Sequence, residues 1–117
     1  MIKVIAMLKR KSGLTIEEFS RYWREEHAPL ANKLIPAAVA LEQRRYVQNY
    51  AVDMPGGGEP AFDGVAEICF DDLESFRKWN EWYFSDEAKP LLDDEDNFMD
   101  KSQRVIVVAE ERVITSS

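Results

Sequence analysis

The chain has 117 residues, 45% of them hydrophobic and 32% charged, the balance of a soluble globular protein with room for a real core. A formal net charge of −7 argues against nucleic acid, whose phosphates require a basic face. No apolar run approaches the roughly 20 residues that span a membrane.

Residues 2–8, Ile-Lys-Val-Ile-Ala-Met-Leu, read as a nearly continuous apolar strand. The charges Lys9-Arg10-Lys11 follow that run rather than precede it, the wrong order for a signal peptide. Residues 9–13 are a polar turn. Thr15 then starts a helix as N-cap, with Glu18 three residues on completing a capping box. Ile16, Phe19, Trp23, Leu30 and Leu34 recur at the period of one helix face. His27, the only histidine, falls on that stripe, four after Trp23 and three before Leu30. Pro29 lacks an N–H and clashes with the carbonyl four residues back. The Glu25 carbonyl therefore loses its usual partner and Ala28 is pushed from helical geometry. A kink, or a break and restart, is predicted within two residues of His27.

Pro36 ends that helix, and residues 37–43 offer one or two further turns. Residues 45–52 read as a strand, with Tyr46, Gln48 and Tyr50 on one face and Val47, Asn49 and Ala51 on the other. Residues 53–63, with three glycines and two prolines, form an exposed loop. Residues 65–70 are a third strand with Glu67 in its middle. Asp71 reads as the N-cap of a second helix, with Glu74 at the capping-box position. Leu73, Phe76, Asn80 and Tyr83 follow at helical spacing, and this helix ends before Pro90. Residues 90–102 are an acidic, partly helical connection in which Asp93-Asp94-Glu95-Asp96 reads as a solvated loop, lacking the glycine of an EF-hand. Residues 104–114 form a long final strand.

This order predicts an α+β, ferredoxin-like βαββαβ domain spanning residues 1–117, a four-stranded antiparallel sheet with two main helices on one face. The first and last strands are apolar on both sides, and two helices cover one face only. The other face is expected to close against a second copy, giving a homodimer through the sheet face, with Val113-Ile114 reaching across.

His27 has the only side chain whose ordinary pKa lies near neutrality, so it is the natural general acid/base; a hydrogen-bonded helix-end histidine is the bland alternative. Glu67 in an apolar strand is costly unless paired or protonated. Burial would raise its pKa and let it share proton transfer with His27. An ion pair with Arg45, Arg104 or another cation is the competing role, and strand parity leaves pocket and dimer face both open. Tyr22, Trp23, Tyr46, Tyr50 and Phe98 would line a pocket for a flat apolar ligand, with Gln48 as a polar contact and Asn97 and Asp100 at the mouth. Aromatics at such spacings serve equally well as plain core. Cys69 is alone, so neither a disulfide framework nor a cysteine metal cluster is available, and a cytoplasmic location is the default. No nucleophile elbow or phosphate loop is present, and neither a metal nor another cofactor is expected.

The chain resembles the EthD-domain family, within the dimeric α+β barrel superfamily. The matching pieces are Lys9-Arg10-Lys11-Ser12-Gly13-Leu14-Thr15-Ile16-Glu17-Glu18-Phe19, then Tyr22-Trp23 followed by His27-Ala28-Pro29-Leu30. Arg45-Tyr46-Val47-Gln48-Asn49, Asp63-Gly64-Val65-Ala66-Glu67, Phe70-Asp71 and Asn97-Phe98-Met99-Asp100 follow in the same order. The resemblance implies a dimer whose pocket lies between sheet and helices, and a histidine kept at position 27. Related barrels include cyclases, dehydratases, lactone isomerases and cofactor-free oxygenases of small aromatic, polyketide or lactone molecules. It therefore implies a small cofactor-independent enzyme of cyclase, dehydratase or isomerase type, with a cofactor-free monooxygenase or a non-catalytic ligand-binding accessory protein as alternatives. Two departures stand out: residues 36–43 replace a shorter turn, and Tyr50 stands where a histidine is often found.

Overall fold

The computed structural model describes residues 1–117. Four strands, β1 (Ile2–Leu8), β2 (Arg45–Tyr50), β3 (Gly64–Phe70) and β4 (Val105–Glu110), form one sheet in the order β2-β3-β1-β4. Every neighbouring pair is antiparallel. Five helices, α1 (Ile16–Tyr22), α2 (Ala28–Leu34), α3 (Ala37–Ala40), α4 (Leu73–Tyr83) and α5 (Lys89–Glu95), complete the α+β, ferredoxin-like architecture. No helix is long and apolar enough to cross a membrane.

Local chemistry sets the helix starts. Thr15 Oγ1 accepts from Glu18 N at 3.1 Å and Thr15 N donates to Glu18 Oε1 at 2.9 Å, the capping box expected from the sequence. Gly13 supplies the φ of +94° that the preceding turn needs. The second cap lies one residue later than expected: Asp72, not Asp71, accepts from Ser75 N. The Asp71 carboxylate is taken instead by Arg44, whose Nε donates to it at 2.9 Å.

Between α1 and α2 runs a π-helical segment, Trp23–His27, in which Ala28 N–H donates to Trp23 O, one residue further back than in an α-helix. This is the irregularity expected ahead of Pro29. It differs in one respect: Ala28 stays helical, at φ −62° and ψ −45°. The widened turn absorbs the misfit, and Pro29 sits in the first turn of α2, where a missing N–H is tolerated.

Register divides the sheet into two faces. Ile2, Val4, Ala6 and Leu8 point toward the helices with their neighbours Phe70, Ile68, Ala66 and Gly64. One core cluster gathers Val4, Phe70, Trp79, Trp82, Tyr83, Ala88 and Leu91 under α4 and α5. A second joins Leu8, Phe19, Trp23, Phe98 and Met99 under α1. The opposite face presents Ile5 beside Val107 and Met7 beside Val105, and both valines are more than 40% exposed. The last strand ends at Glu110 rather than running to residue 114, because its partner β1 ends at Ile2, opposite Glu110. Val113 and Ile114 lie beyond the ladder and are exposed.

Candidate active site

His27 is 7% exposed, at the end of the π-helical segment. Its Nδ1 lies 2.8 Å from Asp94 Oδ2. Asp94 reaches it from α5, so the acidic run is not the solvated loop that its composition suggests. Helical spacing sorts it by side: Asp93 and Asp96 face water, while Asp94 and Glu95 turn inward. The other Asp94 oxygen accepts from Tyr22 Oη at 2.6 Å and from Asn97 Nδ2 at 3.0 Å. Burial works to raise the Asp94 carboxyl, but the bonds from Tyr22, His27 and Asn97 outweigh it and hold it below the usual carboxylate range. An ionised Asp94 can only accept, so Nδ1 carries the proton in neutral His27. Nε2 is left as a base with no hydrogen bond within the chain.

Phe98 packs against the imidazole at 4.9 Å between ring centroids and stacks on Tyr22 at 5.3 Å. The chain that carries it is pinned to the first turn, through Lys11 N to Phe98 O and Asp100 N to Lys9 O.

His27 lines a cavity of about 250 Å³ between the inner sheet face and the helices. Most of its wall is apolar, including Trp23, Ala66, Ile68, Phe76, Trp79 and Ile106. That volume lies just under the roughly 300–1,000 Å³ of common ligand sites, so the space suits a small molecule. An open polar hollow beside α4, bounded by Lys78, Glu81 and Asp86, contains neither His27 nor Asp94. No group of three or more His, Cys, Asp or Glu side chains is placed to hold a metal ion.

Of the site residues expected from the sequence, His27, Trp23 and Tyr46 border the cavity. Tyr46 Oη accepts from Trp23 Nε1 and Gln48 Nε2, each at 3.0 Å. Gln48 also donates to Trp23 O at 3.3 Å, the carbonyl widened by the π turn, and its Oε1 accepts from Tyr50 Oη. Gln48 thus braces two wall residues and does not itself border the cavity. Tyr22 and Phe98 likewise stand behind the wall, Tyr22 holding Asp94 and Phe98 backing the imidazole.

Two expectations are corrected. Glu67 lies on the outer sheet face beside Ile5, paired with Lys3 Nζ at 3.3 Å and Asn49 Nδ2 at 3.2 Å. Those bonds lower its pKa instead of raising it, and the sheet separates it from His27, so it cannot share a proton with that ring. Asp100 does not close a pocket mouth: it caps the short turn Lys101–Gln103, accepting from Ser102 N at 3.0 Å and Gln103 Nε2 at 2.7 Å.

Sequence reasoning missed a second carboxylate, which borders the cavity. Glu95, 6% exposed, accepts from Tyr83 Oη at 2.8 and 2.9 Å, from Arg104 Nη1 at 3.3 Å and pairs with Lys101 Nζ at 3.1 Å. Glu95, Tyr83 and Arg104 all border the cavity. Burial, reinforced by the Glu95 charge, pushes the Tyr83 phenol up to about 12. The signal was present as helical period: Leu91 and Glu95 are four apart, which puts Glu95 on the buried face of α5.

A ferredoxin-like sheet with a cavity between its inner face and the helices defines the class. Within it, the chain belongs to the EthD domain family, whose model matches residues 11–102. It is similar to an ethyl tert-butyl ether D (EthD) family protein from Bacillus halodurans at 25% identity, covering 96% of this chain and 99% of that one, with a TM-score of 0.67. A dimeric ferredoxin-like protein from Thermobifida fusca shares the fold at 17% identity (92% and 88% covered, TM-score 0.59). A hydroxynitrile lyase from Passiflora edulis does so at 14% (96% and 95% covered, TM-score 0.58). No curated protein sequence matches.

Proposed function

We propose that the chain is a small cofactor-independent enzyme that moves a proton on a small, largely apolar molecule, aromatic or lactone-like, with His27 as acid/base. One observation carries the reading: His27, buried at the wall of an apolar cavity and held from behind by Asp94. Asp94 fixes the tautomer and Nε2 takes a proton from a carbon beside a carbonyl, then returns it to an enolate or a leaving oxygen. Cyclase, dehydratase and isomerase reactions all need such a step. A lyase on the same fold supports enzyme chemistry of this broad kind. Tyr22, Gln48 and Phe98 act as positioning residues, and Trp23 and Tyr46 shape the wall. The protein works as a homodimer closed through the outer sheet face, in keeping with a dimeric structural neighbour, and its lone buried thiol, Cys69, suits the reducing cytoplasm.

The same cavity would serve a binding protein without turnover. The test is a panel of small phenols, quinones and lactones, assayed for turnover and for shifts of the His27 ring resonances, which a single histidine makes unambiguous. Loss of general acid–base help in His27→Ala slows such reactions about 10²–10⁴-fold. Turnover at the wild-type rate in that variant would remove His27 from the chemistry, and saturable shifts without turnover would favour the binding protein.

A further inference from the structure

The cavity has two polar corners. One is His27 with Asp94; the other is Arg104 with Tyr83 and Glu95. Asp94 and Glu95 are consecutive on α5, about 100° apart around the helix, so the end of one helix holds both.

The second corner holds guanidinium donors that its carboxylate does not use. Glu95 takes Arg104 Nη1 at 3.3 Å and Lys101 Nζ at 3.1 Å, two cations on one carboxylate. Asp96, 3.6 Å from Lys101, is two-thirds exposed and is screened by water. Tyr83 is neutral at physiological pH. Arg104 is a planar fork with five N–H donors. Only Nη1 is engaged, with Glu95, Tyr83 and the Met99 sulfur at 3.9 Å. Nε and Nη2 have no partner within the chain, although the side chain is only 18% exposed. The adjoining wall includes Trp79, stacked on Tyr83 at 5.2 Å, whose Nε1–H is buried without a partner. A half-buried guanidinium at the cavity wall with two donors free of the chain favours an anionic oxygen group, which it binds in bidentate fashion.

We propose that Arg104 is the anion-recognition residue of the cavity, and that the ligand is a small flat carboxylate whose apolar body lies along the aromatic wall with its far side toward His27. This rests on the cavity being the site and refines the ligand it takes. The volume is adequate, because an apolar cavity of about 150 Å³ already accepts benzene.

Benzoate and benzamide have nearly the same shape and differ in charge. Each is titrated into the wild type, Arg104→Met and Arg104→Lys, with affinity read by calorimetry and contact by the His27 ring resonances. The wild type should bind benzoate about tenfold or more tighter than benzamide, the worth of a charge-assisted hydrogen bond. Arg104→Met should erase that preference, and Arg104→Lys should keep part of it. Equal affinities in the wild type, or a preference that survives in Arg104→Met, would overturn the proposal while benzamide shifts at His27 kept the cavity as the site. If neither compound perturbs His27, the cavity reading and the carboxylate fall together. Should Arg104→Met not fold, the wild-type ratio and Arg104→Lys still decide.

Discussion

Asp94 Oδ2 meets His27 Nδ1 at 2.8 Å across 67 residues of chain. The contact gives the imidazole one tautomer and one orientation. In Asp94→Asn an amide that presents its NH2 group makes Nδ1 the acceptor and moves the ring proton to Nε2, where it blocks the base. Turnover should fall by about 10²–10⁴-fold, the worth of the general-base help that the blocked nitrogen can no longer give. The defect should lie in kcat more than in KM, since Asp94 does not border the cavity. Unchanged kcat would mean that the ring finds its working tautomer without Asp94.

Tyr83 predicts an alkaline limit to stability. Its folded pKa of about 12 exceeds the ordinary phenol value near 10. The folded state therefore holds this proton more tightly than the unfolded chain does. Its stabilising effect is complete below about pH 10 and is lost as the pH rises from there through about 12. Urea unfolding at successive pH values should show that decline in the wild type, and a flatter one in Tyr83→Phe. The last phenolate absorbance to appear on base titration should be missing from that variant.

How much of this was legible in the sequence depends on the range of the interaction. The capping box at Thr15 and Glu18 was visible because it closes within three residues, and proline's missing N–H marked an irregularity near His27, though not its π form or the helical geometry that Ala28 keeps. Two-residue alternation placed Tyr46, Gln48 and Tyr50 on one face correctly. What failed was long-range. Nothing near Glu67 reveals that Lys3 and Asn49 await it on the outer face. The run Asp93-Asp94-Glu95-Asp96 looks uniformly solvated until its helix is docked, and only then does one carboxylate meet His27 and the next Tyr83. Composition averaged over four residues hid a period of 3.6.

Gly64 closes the wall from behind. A Cβ there would lie 2.7 Å from Trp23 Cζ3 and 3.2 Å from both Phe19 Cε1 and Asn49 O. Trp23 is 1% exposed and cannot swing aside, so Gly64→Ala forces the indole toward the cavity. Overpacking of this kind costs about 1–3 kcal/mol, and each kcal/mol lowers Tm by about 4–8 °C in a domain near this size. Thermal unfolding should show that loss together with weaker ligand binding. A variant as stable as the wild type would show that the strand backs away from Trp23 at little cost.

Val107 tests the covered face. It stands beside Ile5 on the side of the sheet without helices and is 44% exposed in a single chain. If that face were free, Val107→Asp would be an ordinary surface change worth within about 0.5 kcal/mol. If a second copy covers it, the same change buries a carboxylate without a partner, which costs several kcal/mol per site, and twofold symmetry applies it twice. Light scattering at micromolar concentration should therefore give a dimer mass for the wild type and a monomer for Val107→Asp. A dimer that tolerates the aspartate would move the contact elsewhere on the molecule, and the valines of β4 would need a different cover.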